Sequence, residues 1–596
     1  MANRKFSLLT AATSITGSDI FAMVVSGISQ KVTAIVFSIF LGLRRGGVSP
    51  LDYGAVGDGV TDDGAALASA LSAAQSANTA LVIPRGYTFY CSTWTTPTAT
   101  APFHVYGLGK IKWSGATNKT FIRCPVNVVV EGVTFENWSR VIDNETGVVT
   151  TAIDHVRVLH AKFLNAAAVS SNFCQQILVQ NEFEEVTIED CTFKNMNYTA
   201  VQIGDNTYAD QGKWKRVNFN RNRILNVDMI GTTPGIAYGV LIYGTDVSVN
   251  GNDVEDVDGP TAAAASLANG ASGIYTKARF NQVIGNRVKR IGVNTLCLGA
   301  DGAVGIHVKG ADRSVTASPQ GYDVVCSGNV VRDVGVSNSF GYGIALLHSD
   351  VSAAHNIIEE FGRIGVLLAD AVTGATGSTD ISHNIIRQAS GASTLGINAT
   401  NTATSRLTVA HNSLRVPAIG IYYRTVASPD GWSQANANIL FNNLDCGTIA
   451  IAFSVGDGYA ISRTKVRGNV ASTCTYGCYF TYGTGTFSGV DITDNDFAVA
   501  STAAVSGSGS VIPAGVRLRD NRGYVSENGG TSAAISSGGT IAHGLSGTPT
   551  VFYVTPTATA TDVYVTAGAS NLTVTFGGGG SVAFSWEAKL ATRYAA

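Results

Sequence analysis

Three aspartates stand at short, repeated distances after glycines: Asp312 and Asp350 lie seven residues beyond Gly305 and Gly343, and Asp370 lies five beyond Gly365. Asp246 and Asp457 share the offset of seven, the latter counted from Ala450 in the glycine's place. Carboxyl groups brought close together are the equipment of glycoside hydrolysis, at roughly 5–5.5 Å for retention and roughly 6.5–9.5 Å for inversion. Two like charges side by side raise one of the two pKa values, which keeps a proton for the general acid. Around the same glycines, offsets of two and four hold Tyr275 and Lys277, His307 and Lys309, Asn398, and Tyr422 and Arg424. Tyr275 and Tyr422 can stack on sugar faces, and His307 and Lys309 can bind acidic sugars. Lys277, His307, Lys309 and Arg424 equally suit a lyase, which needs a base and a group to neutralise a uronate carboxylate. Each aspartate has a plainer reading too, because Asp at a strand end is ordinary turn chemistry. No GxSxG, HExxH or P-loop occurs.

These offsets act together only if the chain repeats, and it does. Asparagines 222, 252, 286, 329, 356, 384, 412, 442, 469, 495 and 521 each sit in a short apolar segment such as "AHNIIEEF" or "SHNIIRQA". Between them run "YGVLIYG", "VGIHVKG", "YGIALLH" and "IGIYYRT", each a glycine followed by an alternating strand with one face buried. Units of this length with two or three strands and no long helix predict a parallel β-solenoid. Adjacent rungs then stack about 4.8 Å apart, so equivalent residues lie above one another. Asp312 and Asp350 fall on consecutive rungs, with Asp370 one rung further. The asparagines are expected in turns, where Asn tolerates the left-handed region and pairs with its own copies. The longest spacings, 286 − 252 = 34 and 329 − 286 = 43, put the largest loop insertions beside this group, and such insertions often mark the binding face. His355, His383 and His411 each precede a repeat asparagine. Steps of about 4.8 Å are too wide for one zinc, so the three are read as a structural ladder.

Charged residues make up only 14% of the chain, and 40 basic against 42 acidic side chains leave a net charge of −2. That excludes a polyanion such as nucleic acid as the implied partner and suits sugars better. The nine cysteines form no zinc set and are read as buried free thiols of a protein made in a reducing cytoplasm. No metal or cofactor is implied. "VTAIVFSIFLGL" (32–43) is too short for a span of about 20 residues and is expected as a buried helix at a subunit contact. Neither membrane insertion nor a signal peptide is expected.

"DYGAVGDGVTDDGAALASAL" (52–71) invites a calcium loop, from Asp58, Asp62 and Asp63, or a phosphate cradle, from its glycines. With a solenoid behind it, Thr61 is expected as the N-cap of a helix, with Asp62 and Asp63 in its first turn. Ala66, Leu67, Ala70, Leu71 and Ala74 form the apolar face that closes the first rung. Together with "ALVIPRGYTFY", this stretch resembles the start of the pectate-lyase-like right-handed parallel β-helices, above all those of bacteriophage tailspikes and capsule depolymerases. "LTAATSITGSDIFAMVVSGISQKVTA" (9–34) is similar to the short head by which many tail fibres and tailspikes dock to the virion. Residues 540–590 are similar to the small C-terminal β-domain found after many such helices.

The resemblance implies an all-β chain in four parts. These are a virion-attachment head (1–46), a neck and capping helix (47–78), a right-handed parallel β-helix (79–523), and a β-sandwich-like domain for trimerisation or sugar binding (524–596). It further implies a homotrimer on the virion, attached to phage tail or baseplate proteins, that binds and usually cleaves a bacterial surface polysaccharide. Polysaccharide lysis on the same scaffold, a non-catalytic receptor-binding spike and a secreted adhesin are the alternatives.

Overall fold

Short β-branched and aromatic runs punctuated by glycine and asparagine wind into a parallel β-solenoid of about twelve turns. The computed structural model describes residues 20–25, 28–33 and 47–590, apart from positions 100, 125, 145–152, 167–173, 205–213, 230–234, 260–269, 294–301, 311–323, 336–340, 348–349, 370–377, 390–393, 401–405, 426–433, 509–511 and 526. A typical turn has three strands, as in Gly341–Leu347, Val351–Ala354 and Ile357–Phe361. Each pairs in parallel with its equivalent in the next turn: Ile364–Ala369, Ser378–Ser382 and Ile385–Arg387. The inward residues form one continuous core from Leu67 to Leu518. In the early turns it includes the stacked rings of Phe135, Phe163 and Phe193, with centroids 5.7 and 4.7 Å apart.

The asparagines form the predicted ladder. Asn356 Oδ1 accepts from the backbone N–H (3.0 Å) and the Nδ2 (2.9 Å) of Asn329. Its own Nδ2 donates to the Cys326 carbonyl (2.9 Å) and to Asn384 Oδ1 (2.9 Å). The same links run from Asn222 to Asn521. The left-handed residue is not the asparagine, as expected, but the one before it: Arg221, Gly251, Gly285, Gly328, His355, His383, His411, Phe441, Gly468, Asp494 or Asp520. The predecessor thus makes the turn, and the asparagine's amide runs along the axis to its copies. His355, His383 and His411 therefore point outward and stack at 5.0 Å, continued by Phe441 at 5.3 Å. They are the structural ladder expected.

The strict alternation fails at the repeat glycine. Both Gly343 and Ile344 face inward, while Tyr342 and Ala345 face out. A side chain at the glycine has no room: a Cβ on Gly365 would lie 2.5 Å from Ile386 Cγ2 and 2.7 Å from the Gly396 carbonyl oxygen. The glycine thus bends the strand and lets facing walls approach.

The capping helix is Gly64–Ser76, with Leu67, Ala70, Leu71 and Ala74 buried. Thr61 is not its N-cap; it lies in the strand Asp58–Asp62, and Asp63 takes the cap position. The Asp63 carboxylate instead accepts from the Val56 (2.6 Å) and Gly57 (3.1 Å) N–H groups. Asp62 accepts from Ser92 and Gly64, and Asp58 from Val60 and Thr61. The three acids pin a loop rather than charge a helix end.

At the N-terminus Ile20–Val25 and Ile28–Thr33 pair as an antiparallel hairpin, so Val32 and Thr33, the first residues of the expected buried helix, are strand. The rest of that segment lies outside the described residues. Beyond the solenoid, two three-stranded antiparallel sheets enclose a separate core that includes Leu572, Val574, Phe576 and Phe584. Among the described residues no helix is long and apolar enough to cross a membrane.

Candidate functional site

The bend at each glycine sets which side chains leave the solenoid. Residues one and three beyond it, such as Ile306 and Val308, enter the core, and those two and four beyond it point outward, as predicted. Register then fixes their neighbours. Tyr275 lies beside His307 and Lys277 beside Lys309. The columns continue through Ala345 and Leu347, Leu367 and Ala369, and Asn398 and Thr400 to Tyr422 and Arg424. The five predicted binding residues thus share one face but fall into two groups, four rungs or about 19 Å apart along the axis.

In the first group Tyr275 meets Tyr238, Tyr243 and His307 with ring centroids 5.7, 5.9 and 4.7 Å apart. Lys277 is only 3% exposed. His307 Nε2 is shut off from solvent and has no hydrogen-bond partner among the described residues. Burial, helped by the charge on Lys309, pulls the His307 pKa down to about 4, so the imidazole is neutral at pH 7.

The second group forms a cavity of about 350 Å³ lined by Arg363, Leu395, Asn398, Ile419, Tyr422 and Arg424. The Arg424 guanidinium lies 5.5 Å over the Tyr422 ring. Its Nε donates to Thr400 Oγ1 at 3.0 Å, and that hydroxyl donates to Asn398 Oδ1 at 2.9 Å. Between the groups the face is apolar, with Val304, Tyr342, Ala345 and Ile364 packed together apart from the core.

Of the predicted carboxylates, Asp350 lies at the corner where this face ends, three residues past Leu347, the neighbour of Lys309. Its Oδ1 accepts from the Ser378 N–H at 2.8 Å, and its carbonyl accepts from Val324 N–H at 3.1 Å. Asp312 and Asp370 lie outside the described residues. Asp246 shares Asp350's column, since each precedes a residue of the register Val247–Asn281–Val324–Val351. It ends no strand, however, because Ile236–Asn250 runs straight through that corner. Asp457 is an exposed turn residue whose carboxyl is held below its usual range by the Thr484 N–H and hydroxyl.

Sequence reading missed a cavity of about 650 Å³ on the adjoining sheet, where His155, Glu185, Arg216 and Asp246 stack in one column. The signal was the outward charges of "IDHVRV", "FEEVTIE" and "WKRVNF", which precede the first repeat asparagine or flank it closely. A further cavity of about 610 Å³ in the C-terminal domain is bordered by Glu527, Tyr553, Trp586 and Glu587, with Tyr553 65% exposed.

No protein-family model and no curated protein matches the chain. The solved structures it is similar to are phage tailspike proteins. The tailspike protein of E. coli bacteriophage HK620, solved in complex with a pentasaccharide, is 14% identical, with 96% of this chain and 97% of that one covered and a TM-score of 0.38. Bacteriophage CBA120 tailspike protein 3 is 11% identical over 85% of this chain and 65% of that one, with a TM-score of 0.32. The Dettilon tailspike protein is 12% identical over 91% and 94%, with a TM-score of 0.25.

Proposed function

We propose that the chain is a phage tailspike that binds a bacterial surface polysaccharide, capsule or O-antigen, and depolymerises it by endoglycosidic hydrolysis. The observation that carries this reading is the outward strip of tyrosines, amide and cations at one register of a long solenoid, with the Asp350 carboxylate at its edge. A strip along the axis suits an extended polymer, and stacked rings with flanking hydrogen-bonding groups suit sugars. Asp350, with Asp312 and Asp370, would supply the acid and base. Tyr275, His307, Lys309, Tyr422 and Arg424 would hold the chain. On the same reading residues 1–46 dock the spike to the virion, and residues 524–596 serve trimerisation or sugar binding.

The test is Asp350→Asn. Depolymerisation should be lost while fold and polysaccharide binding persist, and full activity in that variant would remove Asp350 from the chemistry. A second reading, lysis of a uronate polymer, is favoured by Lys309 standing on the outward face beside His307 and Tyr275. Products with the ultraviolet absorbance of an unsaturated uronate would establish it, whereas hydrolysis yields only new reducing ends. Binding with neither product would leave a non-catalytic receptor-binding spike.

A further inference from the structure

In the C-terminal domain the strands Glu527–Thr531, Phe584–Lys589 and Val551–Pro556 form one sheet, in that order. Phe552, Val554, Phe584 and Ala588 pack into the domain's core, so alternation turns the residues between them outward. In the middle row of this outer side Glu587 lies between Gly529 and Tyr553. Lys589 stands in the row on one side of it, and Ser585 and Thr555 bring hydroxyls in the row on the other. Tyr553 is 65% exposed, a ring left in water next to strand neighbours that are packed. At the other end of its row Gly529 has no side chain, and glycine inside a strand often marks a place where another molecule comes close. Between this wall and this gap lies the cavity of about 610 Å³, a size that suits a small ligand. Lys589 Nζ holds Glu587 Oε1 at 2.7 Å and Glu527 Oε2 at 3.4 Å, one lysine against two glutamates.

We infer that this outer side is a second polysaccharide site, separate from the solenoid face, which takes a short run of neutral sugars. Tyr553 stacks on the apolar face of one ring, and the Glu587 carboxylate accepts from its hydroxyls. The inference rests on the polysaccharide-binding reading above, and it chooses between the two roles left open for residues 524–596. Two glutamates facing one lysine repel a carboxylate or phosphate, so the sugars held here are uncharged. The same charges speak against a subunit contact, because charged residues are depleted from the cores of protein interfaces. A capsule offers many copies of its repeat, so a second site that engages another repeat adds avidity without any new contact on the solenoid.

The test uses the full chain. The protein, and fluorescently labelled protein, are spotted on lawns of a panel of capsulated bacteria, and polysaccharide is purified from a strain that gives a halo or retains the label. Tyr553→Ala and Glu587→Ala should each weaken binding of that polysaccharide about tenfold, the lower part of what a second point of attachment adds. Circular dichroism and the particle mass from light scattering should not change, and Tyr553→Phe, which keeps the ring, should bind as the parent does. The loss in Tyr553→Ala should be equal at about 0.01 and about 0.1 M salt, where the screening length is about 30 and about 10 Å. Unchanged binding by both alanine variants overturns the second site and leaves the depolymerase reading standing. A smaller particle for Tyr553→Ala makes the face a subunit contact and overturns it equally, and a loss that vanishes in salt overturns the neutral class. Neither halo nor adhesion on any lawn overturns the polysaccharide reading and this inference together.

Discussion

His307 ties burial to pH. Its pKa is lowered to about 4 by burial, with Lys309 adding to the effect, while in the unfolded chain it is near 6.5. The unfolded state therefore takes up a proton first as pH falls. Stability from this group is complete above about pH 6.5, declines below it, and is lost near pH 4. The loss should be of the order of 1–3 kcal/mol. His307→Gln should flatten the denaturation midpoint across that window; an unchanged pH slope would show that the imidazole titrates as in the open chain. At this scale the sequence was only partly legible. Offsets of two and four correctly chose the outward side chains, because they depend on backbone alternation. They could not reveal that Lys277 is nearly sealed or that His307 Nε2 lacks a partner, since both follow from the packing of residues distant in sequence.

The strand-turn-strand element built on each asparagine depends on one side chain that both donates and accepts. Asn356→Ala would remove the side-chain acceptor of Asn329 N–H, one of the two carbonyl acceptors of Asn329 Nδ2, the side-chain donor to the Cys326 carbonyl and one of the two donors to Asn384 Oδ1. Each lost bond is worth about 1 kcal/mol, and unsatisfied buried groups cost more, so destabilisation of about 3–5 kcal/mol is expected in urea denaturation. Asn356→Asp keeps the shape but removes the donors, and should be nearly as damaging. A cost below about 1 kcal/mol for either would mean that the ladder is decorative. The recurrence of Asn made this element visible in the sequence. Its turn geometry was misassigned because a residue type that tolerates positive φ does not reveal whether it or its neighbour adopts it.

On the scale of the molecule, the described cysteines run from Cys91 to Cys478, and all eight are buried and form no disulfide with one another. Burial raises the Cys91 and Cys326 thiols to about 12, so they are protonated and inert in the folded state. At pH 8 a thiol reagent should label at most one site in the native protein, Cys297 lying outside the described residues. Labelling at rising urea should follow unfolding; several fast thiols in native buffer would contradict a sealed core. The solenoid itself was readable from repeat and punctuation, because stacking imposes the same demand on every turn. The charged cavity of the early turns was not, since its residues precede or border the regular asparagine spacing that drew attention to the later ones.

The asparagine ladder also has a mechanical meaning. Rungs joined along the axis carry a pull in series, so the molecule is as strong as its least-bonded junction. From Asn222 to Asn521 every junction has side-chain amide links besides its strand pairings. Before Asn222 the equivalent position is Cys191, which contributes its backbone N–H to Asn222 but no amide of its own. The earlier turns rely instead on a second amide column, Asn165–Asn195–Asn226, and the candidate binding face, which lies wholly within the longer amide-linked stretch, should keep its shape under axial load.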